Sequence, residues 1–304
     1  MSLLTLSIPF GLIGADALAR ELGAEAARGE VRRFPDGEWY VRIDSPVVGR
    51  DVAVVCPLDQ PDEKFLAASL AAGTARDLGA SRVGIVAPYL AYMRQDCRFR
   101  RGEGVTSAYF ARLISSTFDW LVTVDPHLHR RASLGEIYSI PTRVAHAAPL
   151  LAAWINGNVE KPLLVGPDGE SEQWVSAVAE GAGAPYVVLE KTRRGDRDVE
   201  IALPSVGRYA GRTPVLVDDI VSTATTMIET VRRLRGVGMP AAVCVGVHGV
   251  FTGGAYDELV GAGAARVVTT NTVPHASNGI DVLPLVAREL RALVSTDSGD
   301  HVPA

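Results

Sequence analysis

Short runs of aliphatic and β-branched residues recur along the chain, separated by stretches with helical periodicity. The runs fall at 3–8, 52–56, 83–87, 120–124, 162–166, 186–190, 214–218, 242–247 and 266–270. Most are continuously apolar and do not alternate, the pattern of parallel strands covered by helices on both faces. Between them, Val105, Tyr109, Phe110, Leu113 and Ile114 line one face of a helix predicted over 105–117. Met227, Ile228, Val231 and Leu234 do the same over 223–236. Strands alternating with helices predict an α/β architecture with mainly parallel sheets. About ten strands are more than one modest sheet holds. A division near 143–150 therefore gives two domains, 1–145 and 146–304. Each half carries a strand ending in acid, TVDPHLH at 123–129 and VLVDD at 215–219, which hints at a duplicated unit without a residue-level repeat. The polar end STDSGDHVPA is expected to fray.

Composition adds mainly exclusions. The 304 residues are 47% hydrophobic and 21% charged, ordinary for folded domains. No apolar run approaches the ~20 residues of a membrane span. The apolar start MSLLTLSIPFGLIGADALARELG lacks a positive n-region and reads as a strand followed by a helix, not an export signal. Cys56, Cys97 and Cys244 are odd in number and scattered, which disfavours a disulfide framework or zinc knuckle and favours a reducing cytoplasm. A net charge of -5 argues against a nucleic-acid binder but leaves room for local basic clusters that hold phosphates.

The most informative segment is VLVDDIVSTATTM, 215–227. An apolar strand runs into Asp218 and Asp219, followed by a turn of small residues and a helix. Ligands of open α/β sheets bind beyond the carboxyl ends of strands. Ser222, Thr223, Ala224, Thr225 and Thr226 would set hydroxyls and N–H groups at a helix N-terminus, which suits a phosphate. Two adjacent carboxylates repel a phosphate but can grip vicinal sugar hydroxyls. The alternative is a polar strand end with Ser222 or Thr223 as a helix cap. The segment resembles the phosphoribosyl-diphosphate signature of the phosphoribosyltransferase superfamily. By that resemblance the two acids hold the ribose 2- and 3-hydroxyls and the loop holds the 5-phosphate. The superfamily has glycine where Thr225 stands, so a positive φ at a β-branched residue is expected to disturb the loop.

Six further segments, with 215–227, follow the order and spacing of the ribose-phosphate pyrophosphokinase family from about 32 to 275. In RRFPDGEWYVRI (32–43), the resemblance places Phe34, Asp36 and Glu38 at ATP, contributed from an adjacent subunit; read alone, Pro-Asp-Gly is a hairpin turn. In APYLAYMRQDCRFRRGEGVTSAYFARLI (87–114), Arg94 and Gln95 match the nucleotide-binding pair, while Arg100 and Arg101 also read as a solvated basic loop. In VTVDPHLHR (122–130), Asp125, His127 and His129 alternate onto one side of a strand, which allows a His-x-His metal site; by the resemblance His127 matches a metal- and ATP-contacting histidine, and His129 is expected to be structural. In LLVGPDGESEQWV (163–175), Asp168 resembles a second magnesium ligand, with Gly169-Glu170 departing from the family's Ala-Gly-Gly; Glu170 also suits a first helical turn. In VVLEKTRRGDRDVEI (187–201), Lys191 and Arg193 match the Lys-x-Arg pair of a mobile catalytic loop, or read alone as charges on an exposed hairpin. HGVFTGGAYDELVGAGAARVVTTNTVPH (248–275) resembles the family's C-terminal region; His248 is expected to be no nearer than one step removed from substrate, and Thr269, Thr270 and Asn271 to be structural.

The resemblance implies two similar phosphoribosyltransferase-like domains, each a mainly parallel sheet flanked by helices, the first on the ATP side and the second on the ribose 5-phosphate side. It implies transfer of the β,γ-diphosphoryl group of Mg-ATP to O1 of ribose 5-phosphate, with Mg2+ as cofactor and Lys191, Arg193 and His127 stabilising the transition state. It also implies a homo-oligomer, at least a dimer; the cysteines, the charge and the hydropathy give the expectation of a cytoplasmic protein with no nucleic-acid or membrane partner. A non-catalytic regulatory or partner protein of the same fold, and a base phosphoribosyltransferase, are the alternatives.

Overall fold

The computed structural model describes residues 3–11, 13–167, 169–194, 198–202 and 206–296; the side chains of 170, 190–194, 198–202, 206, 207 and 296 lie outside that description. The chain forms two compact units, Met1–His146 with Val282–Ala304, and Ala147–Asp281.

In the first unit the order is β1 (Leu3–Ser7), α1 (Ala15–Leu22), β2 (Glu25–Ala26), β3 (Gly29–Arg33), β4 (Trp39–Ile43), β5 (Asp51–Val55), α2 (Pro61–Asp77), β6 (Arg82–Ala87), α3 (Thr106–Thr117), β7 (Leu121–Val124) and β8 (Thr142–Ala145). The second unit runs α4 (Ala148–Asn158), β9 (Pro162–Gly166), α5 (Glu172–Ala182), β10 (Tyr186–Val188), β11 (Glu190–Arg194), β12 (Asp198–Ala202), β13 (Thr213–Val221), α6 (Thr225–Gly236), β14 (Val243–Gly249), α7 (Ala255–Gly261), β15 (Arg266–Thr270) and β16 (Asn278–Ile280). A last helix, α8 (Leu283–Thr296), returns to the first unit.

Each unit is built on a six-stranded sheet, ordered β2-β1-β5-β6-β7-β8 in the first and β10-β9-β13-β14-β15-β16 in the second. All neighbours in both sheets are parallel. Each unit inserts an antiparallel hairpin at the same point of its order, β3–β4 and β11–β12. The duplication hinted at by two acid-ended strands is therefore one of topology. The expected α/β fold, with parallel sheets in both halves, is present.

The strands form where the apolar runs lie because both faces are covered. Every residue of β5 and β7 is buried. Helix α2 presents Ala67, Ala68, Ala71, Ala72 and Ala75, all fully buried, and so packs its backbone close to its neighbours. Close packing also explains two strand glycines. A Cβ on Gly84 would fall 1.9 Å from the Trp120 indole, and one on Gly246 would fall 2.6 Å from a Val221 methyl.

Three expectations are corrected. The chain's last helix does not belong with residues 146–281: α8 packs on α1, β7 and β8, and its Val286, Ala287, Leu290 and Leu293 are buried. Chain order alone cannot show which sheet a terminal helix covers. In α3 the buried stripe is Ser107, Phe110, Ala111 and Ile114, leaving Tyr109 and Leu113 43% and 51% exposed. The stripe is turned by about one residue because the small Ser107 and Ala111 face inwards. Finally, Glu170 lies in a short 3-10 turn, Gly169–Ser171, ahead of α5, so the acid in that helix's first turn is Glu172.

Candidate active site

In the second unit the acids lie on β13. The strand does not end at them: it continues to Val221, with Ile220 opposite His248 and Val221 opposite Gly249. Gly246 leaves the room that the Val221 side chain occupies, so the ladder extends past the acids. Asp218 is half-buried and Asp219 only 6% exposed. The Asp219 N–H donates to the Asp218 carboxylate at 3.0 Å, and the Ile220 N–H donates to the Asp219 carboxylate at 2.8 Å.

The turn after β13 places its left-handed residue at Ala224 (φ 52°) and makes Thr225 the first residue of α6. Thr225 thus needs no glycine-like conformation, and the expected disturbance falls instead on Ala224, whose single methyl bears it at modest cost. The Thr225 hydroxyl donates to that of Thr223 at 3.1 Å. Thr223 and Thr225 are exposed, Ser222 and Thr226 half-buried. The helix anchors through Met227, Ile228, Val231 and Leu234, all buried as predicted. Its first-turn N–H groups, which have no carbonyl of the helix to bond, face the same turn.

His248, at the end of β14, is 1% exposed and shares its Nδ1 with the Thr272 hydroxyl at 2.8 Å. Thr270 donates to the Val247 carbonyl at 2.7 Å, the Thr269 hydroxyl lies 2.8 Å from that of Ser277, and the Asn271 amide donates to Asp281 at 2.7 Å. These residues knit strand ends together, as a structural role requires.

In the first unit, the β3–β4 hairpin closes as the Pro-Asp-Gly sequence predicts. Phe34 N–H donates to the Glu38 carbonyl at 2.8 Å, and Gly37 sits at φ 95°. Phe34 is 40% exposed, its ring edge-on to Tyr40 and 5.0 Å below the Arg32 guanidinium. Asp36 and Glu38 are exposed. Among the described residues no hydrogen bond or ring contact joins this tip to Arg94 or Gln95.

Arg94 is exposed, Gln95 half-buried and Asp96 buried. The loop beyond them is fastened by Glu103, whose carboxylate accepts the N–H groups of Phe99 and Arg100, each at 2.8 Å. Arg100 and Arg101 remain exposed, as the solvated-loop alternative expects.

The β7 strand ends one residue before Asp125, which adopts φ 32°. The alternation expected to carry Asp125 and His127 onto one side therefore does not apply, because the extended backbone stops at Val124. Asp125 turns instead to His146, whose Nδ1 lies 3.0 Å from its carboxylate. That hydrogen bond raises the His146 pKa, with burial opposing it. His127 is half-buried and stacks on His129, ring centroids 3.7 Å apart. Sequence reasoning passed over His146 and the Asp96 network below, since nothing in a single chain marks which charges meet.

Asp168 lies outside the described residues. Lys191 and Arg193 occupy β11, opposite Ile201 and Val199 of β12, and their side chains also lie outside the description. Among the described residues no helix is long and apolar enough to cross a membrane.

A twofold-repeated parallel α/β unit, with paired acids on one strand and a helix N-terminus in the turn that follows it, defines a phosphoribosyltransferase-type protein. Residues 133–284 match the phosphoribosyl transferase domain, and residues 14–117 match the N-terminal domain of ribose phosphate pyrophosphokinase. The chain is 36% identical over 278 residues to the ribose-phosphate pyrophosphokinase of Methanopyrus kandleri, covering 91% of this chain and 94% of that one. It is 32% identical over 281 residues to that of Sulfurisphaera tokodaii, covering 90% and 95%. The crystal structure of phosphoribosylpyrophosphate synthetase from Mycobacterium smegmatis superposes with a TM-score of 0.85 at 25% identity, covering 97% of this chain and 100% of that one. The chain belongs to the ribose-phosphate pyrophosphokinase family.

Proposed function

We propose that the chain is a ribose-phosphate diphosphokinase, which converts Mg-ATP and ribose 5-phosphate into 5-phosphoribosyl 1-diphosphate and AMP. The observation that carries this is the pairing of a pyrophosphokinase N-terminal domain with a second domain whose β13 bears Asp218 and Asp219 ahead of the 222–226 turn. Asp218 and Asp219 take the ribose hydroxyls, and Ser222, Thr223, Ala224, Thr225 and Thr226 take the 5-phosphate through hydroxyls and N–H groups. Phe34, Asp36, Glu38, Arg94 and Gln95 take ATP. The exposed hairpin tip suits delivery to a neighbouring copy, so the working form is at least a dimer. Three free thiols suit a cytoplasmic enzyme.

The O1 hydroxyl attacks the β-phosphorus and gives up its proton to solvent, the bond from that phosphorus to the bridging α,β-oxygen breaks, and AMP leaves. Lys191 and Arg193 meet the charge that develops, and the hairpin that carries them excludes water. His127 fits a magnesium site: it is a partly exposed imidazole just beyond a buried strand, and a hard ion that keeps water and phosphate oxygens needs few protein ligands. Asp168 is the second residue we assign to the metal. Mg2+, when bound, neutralises charge on the donor's phosphates.

Release of AMP from Mg-ATP in the presence of ribose 5-phosphate tests the reading. Consumption of a free nucleobase with phosphoribosyl diphosphate, and none of ATP, would replace it with a base phosphoribosyltransferase. Ligand binding without turnover would indicate a regulatory protein.

A further inference from the structure

Two donor-side segments, 94–96 and 127–131, are distant in the chain and meet at one buried acid. The Asp96 side chain is 2% exposed. Its carboxylate accepts from Arg130 Nη1 at 3.2 and 3.4 Å. Arg131 Nη2 donates to the Asp96 backbone carbonyl at 3.2 Å and to the Ser107 hydroxyl at 3.4 Å. Ser107, fully buried in the first turn of α3, donates its N–H to the Gln95 carbonyl at 3.3 Å. Both carbonyls that follow Arg94 are therefore held, one by α3 and one by the turn that carries His127. Arg130 also lies 5.4 Å over the Phe99 ring, and Arg131 reaches Glu136 at 3.8 Å.

A carboxylate removed from water must be paired, and losing its partner displaces whatever it holds. We infer that Asp96, with Arg130 and Arg131, is a positioning residue that sets Arg94 and Gln95 against His127 for the donor nucleotide. They act through the backbone on either side. This rests on the donor-site reading above. Its consequence is selective: the network belongs to the first unit, so its loss should disturb ATP and not the sugar phosphate.

The test compares Asp96→Asn, Arg130→Ala and the double variant in steady-state assays of AMP release, with Mg-ATP and ribose 5-phosphate varied separately. Misplacing reacting groups by an ångström can cost on the order of 100-fold, so each single variant is expected to lose about 10-fold or more in kcat/KM for ATP. The KM for ribose 5-phosphate should stay within about twofold, and the double variant should be no worse than the worse single one, as for groups sharing one interaction. Arg130→Lys, which keeps the charge, should restore part of the loss. Arg130 is 42% exposed, so its variants report even if Asp96→Asn fails to fold. An active parent whose variants keep their ATP parameters, or lose ATP and sugar phosphate equally, overturns the positioning role alone. A parent that forms no AMP overturns the donor-site reading, and this role with it.

Discussion

The two six-stranded sheets share one strand order, yet they carry their chemistry at different places. In the second unit, the candidate acids sit on β13, the third strand of the sheet in chain order, and the candidate turn follows it. The matching strand of the first unit, β5, is buried throughout and carries no such acid pair at its end. There the candidate residues come from the hairpin tip, from the loop after β6 and from the turn after β7. The hairpins diverge as well: one carries Phe34, Asp36 and Glu38, the other Lys191 and Arg193. A scaffold fixed by continuous apolar strands tolerates change in its loops, so one topology can carry two different sets of candidate groups.

The largest effect should come from the second hairpin. Lys191→Ala is expected to lower kcat by about 100-fold or more while ATP affinity holds, as for removal of a group that acts only on developing charge. Near-normal turnover would end the assignment of β11 as the catalytic strand. A crossed pair of variants then separates the units. Asp219→Asn should raise the KM for ribose 5-phosphate by about 10-fold or more, and Arg94→Ala should do so for ATP, each charged hydrogen bond contributing roughly 1.5–3 kcal/mol. If either variant weakens both substrates alike, the division of labour is wrong.

The scaffold comparison is sharpened by its glycines. Gly84→Ala should cost about 3 kcal/mol or more, since the new methyl meets a rigid, fully buried indole. Gly246→Ala meets a single valine methyl at 2.6 Å and should cost about 1–2 kcal/mol. Thermal melting of the two variants gives the order, and equal losses would show that Val221 is as confined as Trp120. The smallest effect concerns thiols. Burial pushes Cys56, in the first unit, and Cys244, in the second, up to about 12, so neither should react with a thiol reagent at neutral pH. The half-buried Cys97 should label in the native protein, and labelling of all three without denaturant would show that a core opens readily.

Much of the architecture was legible because buried parallel strands write themselves as unbroken apolar runs. The 162–166 and 266–270 runs match β9 and β15 residue for residue. Short edge strands such as β2, β8 and β16 carry no such signature and passed unseen. Motifs with a chemical pattern, Asp218-Asp219 and the Pro-Asp-Gly turn, were equally plain. The pairings of Asp96 with Arg130 and of Asp125 with His146 were not, because residues 34 and 21 positions apart leave no local trace of contact.

By itself the sequence determined the alternation of strands and helices, the acid pair, the turn of small residues after it and the family, all of them local or collinear features. Only the tertiary structure decided that the halves share a strand order, that α8 closes the first unit, that the left-handed residue is Ala224, and that β13 runs on past its acids. Each of those depends on what packs or bonds across the fold: a helix on a distant sheet, a glycine that makes room for a valine, a ladder that extends two residues further. Such choices are made by space and by partners, and space and partners are not written in neighbouring residues.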